Sequence, residues 1–499
     1  MNESVPLAGL VFDQQAAGKS DFTVTGAGKV VLGANGIVTK EPPADGANAY
    51  TIAAPLELSE SQTWWVTNGI GATPARQTSL RIAGPLSSVK SGITVTKKGW
   101  GDVWLCATNS TSTAAITCSA SGTVHIAGNN AWGAAGAKLT ANSGARVMFE
   151  GGEFDGDLTT SVGSANVTPK PIGSTPGSTN VFRGTVTFSG GNRFLFGKKS
   201  LMEFHRPFSC GGWTYGYGED KKTTVMRFYE TATFSSGEWN ALTFDFRAPN
   251  NLLGNDFCLK YGGDGCVFLL NCEWAWDTAR SCQVWQDNLI DICGHNNRIG
   301  TFQMLNTSSC VTNSGAKATF WIDANHATLK ESDSAGAVAL PVVIKGNFRG
   351  PVTLGKTGPY DITVTNRAMT SSGDLVVAKG RLAFCNKSSW LNGQEVVVTN
   401  AVGGGNAVLE IRQAKALNRR ATLRLGNGGK LRLGLAGVDA PFRQSVRTLF
   451  VDGIEQEAGV YSAADANGRP TVAGTRPCAN LDGPGTLYVR GIGAVLIVR

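Results

Sequence analysis

The sequence predicts an all-β chain wound as a single elongated parallel β-helix, a β-solenoid with loop insertions and a small C-terminal β end region. Three observations predict it. The first is composition: 64 of the 499 residues are glycine and only 16% are charged, against roughly 7% and ~25% in an average protein. Glycine weakens a helix by about 1 kcal/mol relative to alanine, which disfavours helical bundles, coiled coils and doubly wound α/β folds. The second is a recurring unit of Gly, any residue, then an apolar–any–apolar strand. The third is the spacing of strand marks, about 20 to 30 residues, within the range of solenoids, propellers and arrays. A propeller would need four strands per blade at regular ~40-residue signatures; irregular spacing and very short strands favour the parallel β-helix.

The strands follow in order. The Gly-marked unit stands at Gly28-Lys29-Val30-Val31-Leu32, Gly122-Thr123-Val124-His125-Ile126 and Gly184-Thr185-Val186-Thr187-Phe188. It returns at Gly373, Gly380, Gly429 and Gly485. Alternation of apolar and polar residues marks a half-buried strand, and the leading glycine supplies a positive φ or a tight corner. Further short strands are expected at Leu139-Thr140-Ala141, Arg146 to Phe149, Val342-Val343-Ile344, Ile362-Thr363-Val364 and Val396-Val397-Val398. In Val408-Leu409-Glu410-Ile411-Arg412 the inward pair is Leu409 and Ile411, with Glu410 and Arg412 facing out. Thr159 to Asn180 reads as a long loop or insertion. Gly426-Asn427-Gly428-Gly429 reads as a tight turn between two strands. Composition divides the chain into coils at 1–190, an aromatic- and Cys-rich centre at 191–335, and basic coils with an end region at 336–499.

Charge and cysteine bound the function. Between Pro341 and Arg499 lie 20 basic and 10 acidic residues, against 25 and 27 in the rest. Arg412, Lys415, Arg419, Arg420, Arg424, Lys430 and Arg432 form the densest stretch. This is either an attraction for an acidic polymer or a solvated strand face that discourages edge pairing. Of the 11 cysteines, Cys258, Cys266, Cys272, Cys282, Cys293 and Cys310 cluster in the centre. Without C-x-x-C or H-x-x-x-H spacing a zinc site is not expected, and no metal or other cofactor is. Gaps of about one coil, Cys258 to Cys282 and Cys272 to Cys293, suit cysteines stacked along the axis, as buried thiols more than as disulfides. No run of 18 apolar residues exists, so no membrane span is expected. The start, Met1 to Pro6, lacks the basic and apolar regions of a signal peptide. No nucleic-acid-binding module accompanies the basic stretch.

One region resembles a known family. From Tyr50 to Leu158 the chain resembles the autotransporter-associated β-strand repeat, a passenger-type repeat of bacterial surface and secreted proteins. The resemblance lies in Ile52-Ala53-Ala54-Pro55-Leu56-Glu57-Leu58, Gln62-Thr63-Trp64, Leu80 to Leu86 and Ile93 to Thr96. It continues through Lys97-Lys98-Gly99-Trp100-Gly101-Asp102-Val103, where the family carries Lys-x-Gly-x-Gly-x-Leu, and Gly122 to Asn130. A second match runs from Leu354 through Phe384 and departs at Tyr360, where the second Gly is expected. The tail around Leu449 to Gly453, Ala458 to Tyr461 and Gly483 to Val489 is similar to the C-terminal end of such repeats. The resemblance covers about half the chain. It implies a right-handed β-helix exported to the cell surface or beyond, and no catalytic residue. No outer-membrane barrel of ~10-residue amphipathic strands follows.

Parallel β-helices also host polysaccharide lyases and hydrolases, and the aromatic- and carboxylate-rich centre is where such chemistry would sit. A glycosidase needs paired carboxylates about 5 to 9.5 Å apart. Asp264 and Asp287 lie about one coil apart, and Asp287 and Asp291 would share a face of one strand. Trp213, Tyr215, Tyr217, Trp239, Trp274, Trp276 and Trp285 are candidate sugar-stacking platforms, or fillers of a wide core. No Gly-x-Ser-x-Gly elbow or phosphate loop is present. The expected function is an extracellular or cell-surface β-solenoid with a structural or adhesive role, contacting acidic polysaccharide. The alternatives are a polysaccharide lyase or glycoside hydrolase on the same coil, and a subunit that self-assembles end to end or by edge pairing.

Overall fold

A computed structural model describes residues 3–13, 21–40, 46–67, 76–119, 122–142, 144–161, 172–189, 193–259, 265–284, 287–330, 339–365, 368–385, 388–400 and 405–491. Among them there is no helix. The chain forms two compact units, Met1–Asp245 and Phe246–Arg499. Each is a parallel β-solenoid, as the sequence predicts.

In the first unit the strands stack in register from coil to coil. Ile52 lies opposite Ile82, Ile82 opposite Leu105, Leu105 opposite Ile126 and Ile126 opposite Phe149. All five side chains are fully buried. A neighbouring column runs Trp64, Lys97, Cys118, Ala141, Thr160, Phe188, Cys210 and Phe234. A second sheet stacks Phe154, Phe182, Phe204 and Phe228, with ring centroids 5.2 to 5.4 Å apart. Period-2 alternation sends each such residue inward, and burying it contributes roughly 1.5–3 kcal/mol.

The second unit repeats the plan. Phe320, Leu354, Leu375, Val396, Leu423 and Leu449 form one inward column. Ile362, Leu382, Leu409, Leu431 and Leu481 form another. The unit closes on a small end region. Gly459–Ala463 runs antiparallel to Thr486–Val489, and Thr448–Val451 turns back on Ile454–Glu455.

Several expectations change in detail. Of the marked glycines, only Gly122 (φ 101°) and Gly380 (φ 68°) need the left-handed region. Gly28, Gly184, Gly373 and Gly429 are small for a different reason: a Cβ would strike the backbone of the adjacent coil. Glu410 does not face water; it is 1% exposed, beneath Arg381 and Arg432. Thr159 to Asn180 is not one loop, because Asp157–Ser161 and Ile172–Ser174 are strands; residues 162–171 lie outside the described residues. The register sets Phe257, not Cys258, opposite Cys282. Cys106, Cys118, Cys293, Cys385 and Cys478 are free thiols.

Candidate functional site

Of the three candidate carboxylates, Asp287 and Asp291 fall among the described residues. Asp287 sits in an exposed turn before its strand, with φ 20° and its amide on Ser308 Oγ at 3.3 Å. Asp291 ends the strand Leu289–Asp291. Its Oδ1 accepts from the amides of Cys293 at 2.9 Å and Ser314 at 3.0 Å, which ties two coils together. Asp264 and Trp285 lie outside the described residues, and Trp213 and Tyr215 are described in backbone only. Two of the aromatic candidates do not reach the surface. Trp239 packs among Phe194, Phe234 and Phe244 at 5.3 to 5.7 Å. Trp276 packs on Phe268 and Phe246. Tyr217 is half-buried, and Trp274 is 39% exposed on a turn at φ 56°.

Sequence reasoning missed a largely buried polar ladder in the first unit. Glu203, Arg227 and Asp245 stand on successive coils. Arg227 donates through Nη1 to Glu203 at 2.7 Å and through Nε to Asp245 at 2.6 Å. Tyr229 donates to the same Glu203 oxygen at 3.3 Å and its ring stacks on His205 at 4.3 Å. The two carboxylates and hydrogen bonds hold the Arg227 proton more tightly, overcoming the burial that opposes it. The signal was present in sequence: opposite charges at one-coil spacing, each flanked by inward apolar residues.

The Lys-x-Gly segments build a second device. Lys97 and Lys356 point into the core at 1% and 0% exposure. Lys97 Nζ donates to Gly99 O at 2.7 Å. Lys356 Nζ donates to Thr357 O and Gly358 O at 2.9 Å and to Lys379 O at 2.7 Å. Gly99 and Gly358 share φ 82°. Each ammonium therefore satisfies main-chain carbonyls at a corner of the coil. Burial draws both lysines down to about 8.

The dense basic stretch divides in two. Arg412 is paired with Asp439, Arg424 with Glu395, and Arg432 with Asp482 and Glu410. Lys415 and Arg419 have no ion-pair partner among the described residues, and with Arg443 and Arg490 they line a cavity. Among the described residues no group of three or more His, Cys, Asp or Glu side chains is placed to hold a metal ion. No helix among them is long and apolar enough to cross a membrane. No family model, curated protein or solved structure matches the chain.

Proposed function

We propose that this protein is a non-catalytic β-solenoid of the cell surface or extracellular space, structural or adhesive in role, that contacts acidic polysaccharide. The observation that carries the reading is how its polar side chains are used. The carboxylates Glu203, Asp245, Asp291 and Glu410 each join one coil to another, so they stabilise a scaffold. The buried Lys-x-Gly corner in both units supports a relation to the autotransporter-associated repeat, and with it export. The cations left unpaired in the second unit supply the attraction for an acidic chain.

The test is a panel of acidic and neutral polysaccharides, read for binding and for new reducing or unsaturated ends. Binding of acidic members without new ends is the expected result. New ends would make the protein an enzyme, and no binding at all would remove the polysaccharide from the reading.

A further inference from the structure

The cavity in the second unit is built by two stretches of chain. One is the corner at 414–419; the other is the strand Arg443–Val446, joined by Leu391 and Arg490. Its volume is about 520 Å³, within the ~300–1,000 Å³ of small-ligand sites. Gln444 fixes the two stretches to each other. It is 1% exposed; its Oε1 accepts from Ala416 N at 2.9 Å and Leu417 N at 3.3 Å. Its Nε2 donates to Leu417 O at 3.2 Å and Ser445 O at 2.8 Å. The wall is therefore held by buried hydrogen bonds rather than by the charges that line it.

Those charges have one sign. Lys415, Arg419, Arg443 and Arg490 reach the cavity, no carboxylate lines it, and none of the four is ion-paired among the described residues. Elsewhere in the same unit Arg412, Arg424, Arg432 and Arg476 each hold a carboxylate. Like charges gathered in a concavity repel one another and focus a positive potential on the space between them. An anion placed there relieves the repulsion and meets guanidinium groups suited to bidentate contact with carboxylate or sulfate. Leu391, 40% exposed, and Ala414 add an apolar side. A sugar ring presents both matching features: a C–H face and an anionic substituent.

We infer that this cavity seats an acidic sugar of an oligosaccharide, with Arg443 and Arg490 holding its carboxylate or sulfate and Leu391 packing on the ring. The inference rests on the polysaccharide reading above and places its contact at one site.

The test uses the full chain and calorimetric titration. Oligogalacturonate and a heparin-derived oligosaccharide are the carboxylated and sulfated probes. Methyl-esterified oligogalacturonate and a single-stranded oligonucleotide are the comparisons. The double variant Arg443→Gln/Arg490→Gln should weaken the preferred acidic oligosaccharide at least tenfold and flatten its salt dependence. Arg424→Gln/Arg476→Gln removes the same charge elsewhere and should stay within twofold. Arg443→Lys should lose part of the affinity, and thermal unfolding of each variant separates lost contact from lost fold. The relative affinity of the two acidic probes says which anionic group is taken. Wild-type binding retained in the double variant would overturn the cavity and leave the polysaccharide reading standing. Failure of the wild type to bind any saccharide would overturn both, and preference for the oligonucleotide would overturn the ligand class.

Discussion

The two units solve one problem twice, and the copies differ in an instructive place. Lys97-Lys98-Gly99-Trp100-Gly101-Asp102 and Lys356-Thr357-Gly358-Pro359-Tyr360-Asp361 carry the same buried lysine and the same left-handed glycine. The glycine one coil on, Gly122 or Gly380, leaves room for the ammonium; a Cβ would lie 2.6 Å from Lys97 Nζ or 2.8 Å from Lys356 Nζ. Beyond the lysine and these glycines the copies part. A Cβ at Gly101 would meet the Val66 side chain and the Thr78 carbonyl, whereas Tyr360 is 42% exposed beside Asp361 and Arg381. The lysine, its glycine and the glycine a coil later define the corner. The second glycine of the motif answers only to its local neighbours.

The comparison breaks first at the left-handed glycines. Gly99→Ala and Gly358→Ala combine a disfavoured φ with a collision against the carbonyls of Val66 and Asp323, and each should cost about 3 kcal/mol or more. Hydrogen exchange resolved along the chain should show the loss in the substituted unit; unchanged protection would mean the corner is soft. The exchange of the variable position should be lopsided. Gly101→Tyr should destabilise the first unit by about 2–3 kcal/mol through overpacking.

Lys356→Met removes the donor of three carbonyls. It should cost about 2–4 kcal/mol, because each buried acceptor left unpaired costs about 1–3 kcal/mol and the desolvation relieved offsets only part. Lys97→Met should act in the same direction. Acidity gives a sharper reading. Lysine titrates near 10.5 when unfolded and near 8 in both corners. Between those values the unfolded chain binds more protons, so stability rises with pH across that window, by up to about 3 kcal/mol per lysine at 1.36 kcal/mol per unit. Chemical denaturation from pH 7.5 to 10.5 should show the rise and its loss in the Met variants; a fall in the wild type would invert the assignment. Smallest is Tyr360→Gly, which restores the repeat's residue and should change stability by less than about 1 kcal/mol.

Much of the fold was legible because alternation is a local property. Leu409 and Ile411 could be assigned inward from five residues alone. What each glycine does was not legible, since Gly373 is constrained by Val352, a contact that exists only once the coil closes. The same limit applies to the cavity. Lys415 and Arg419 stood out as part of a basic stretch, but nothing local distinguishes them from Arg412, which finds Asp439. Arg443 and Arg490 join them only through strands paired later in the chain. Trp239 and Trp276 misled for a related reason: an aromatic that fills a wide core and one that receives a sugar are the same letter until burial is known.

The lysine corner bears on how such a chain can lengthen. Lys356 is held by main-chain oxygens of its own coil and of the one that follows, groups that every sequence supplies. A copied coil brings the lysine and its acceptors with it, and what it asks of the coil that follows is a glycine where Gly380 stands, since a Cβ there would lie 2.8 Å from the ammonium. Duplication is then tolerated wherever that one glycine follows, and the rest of the neighbouring coil is left open to variation by the corner.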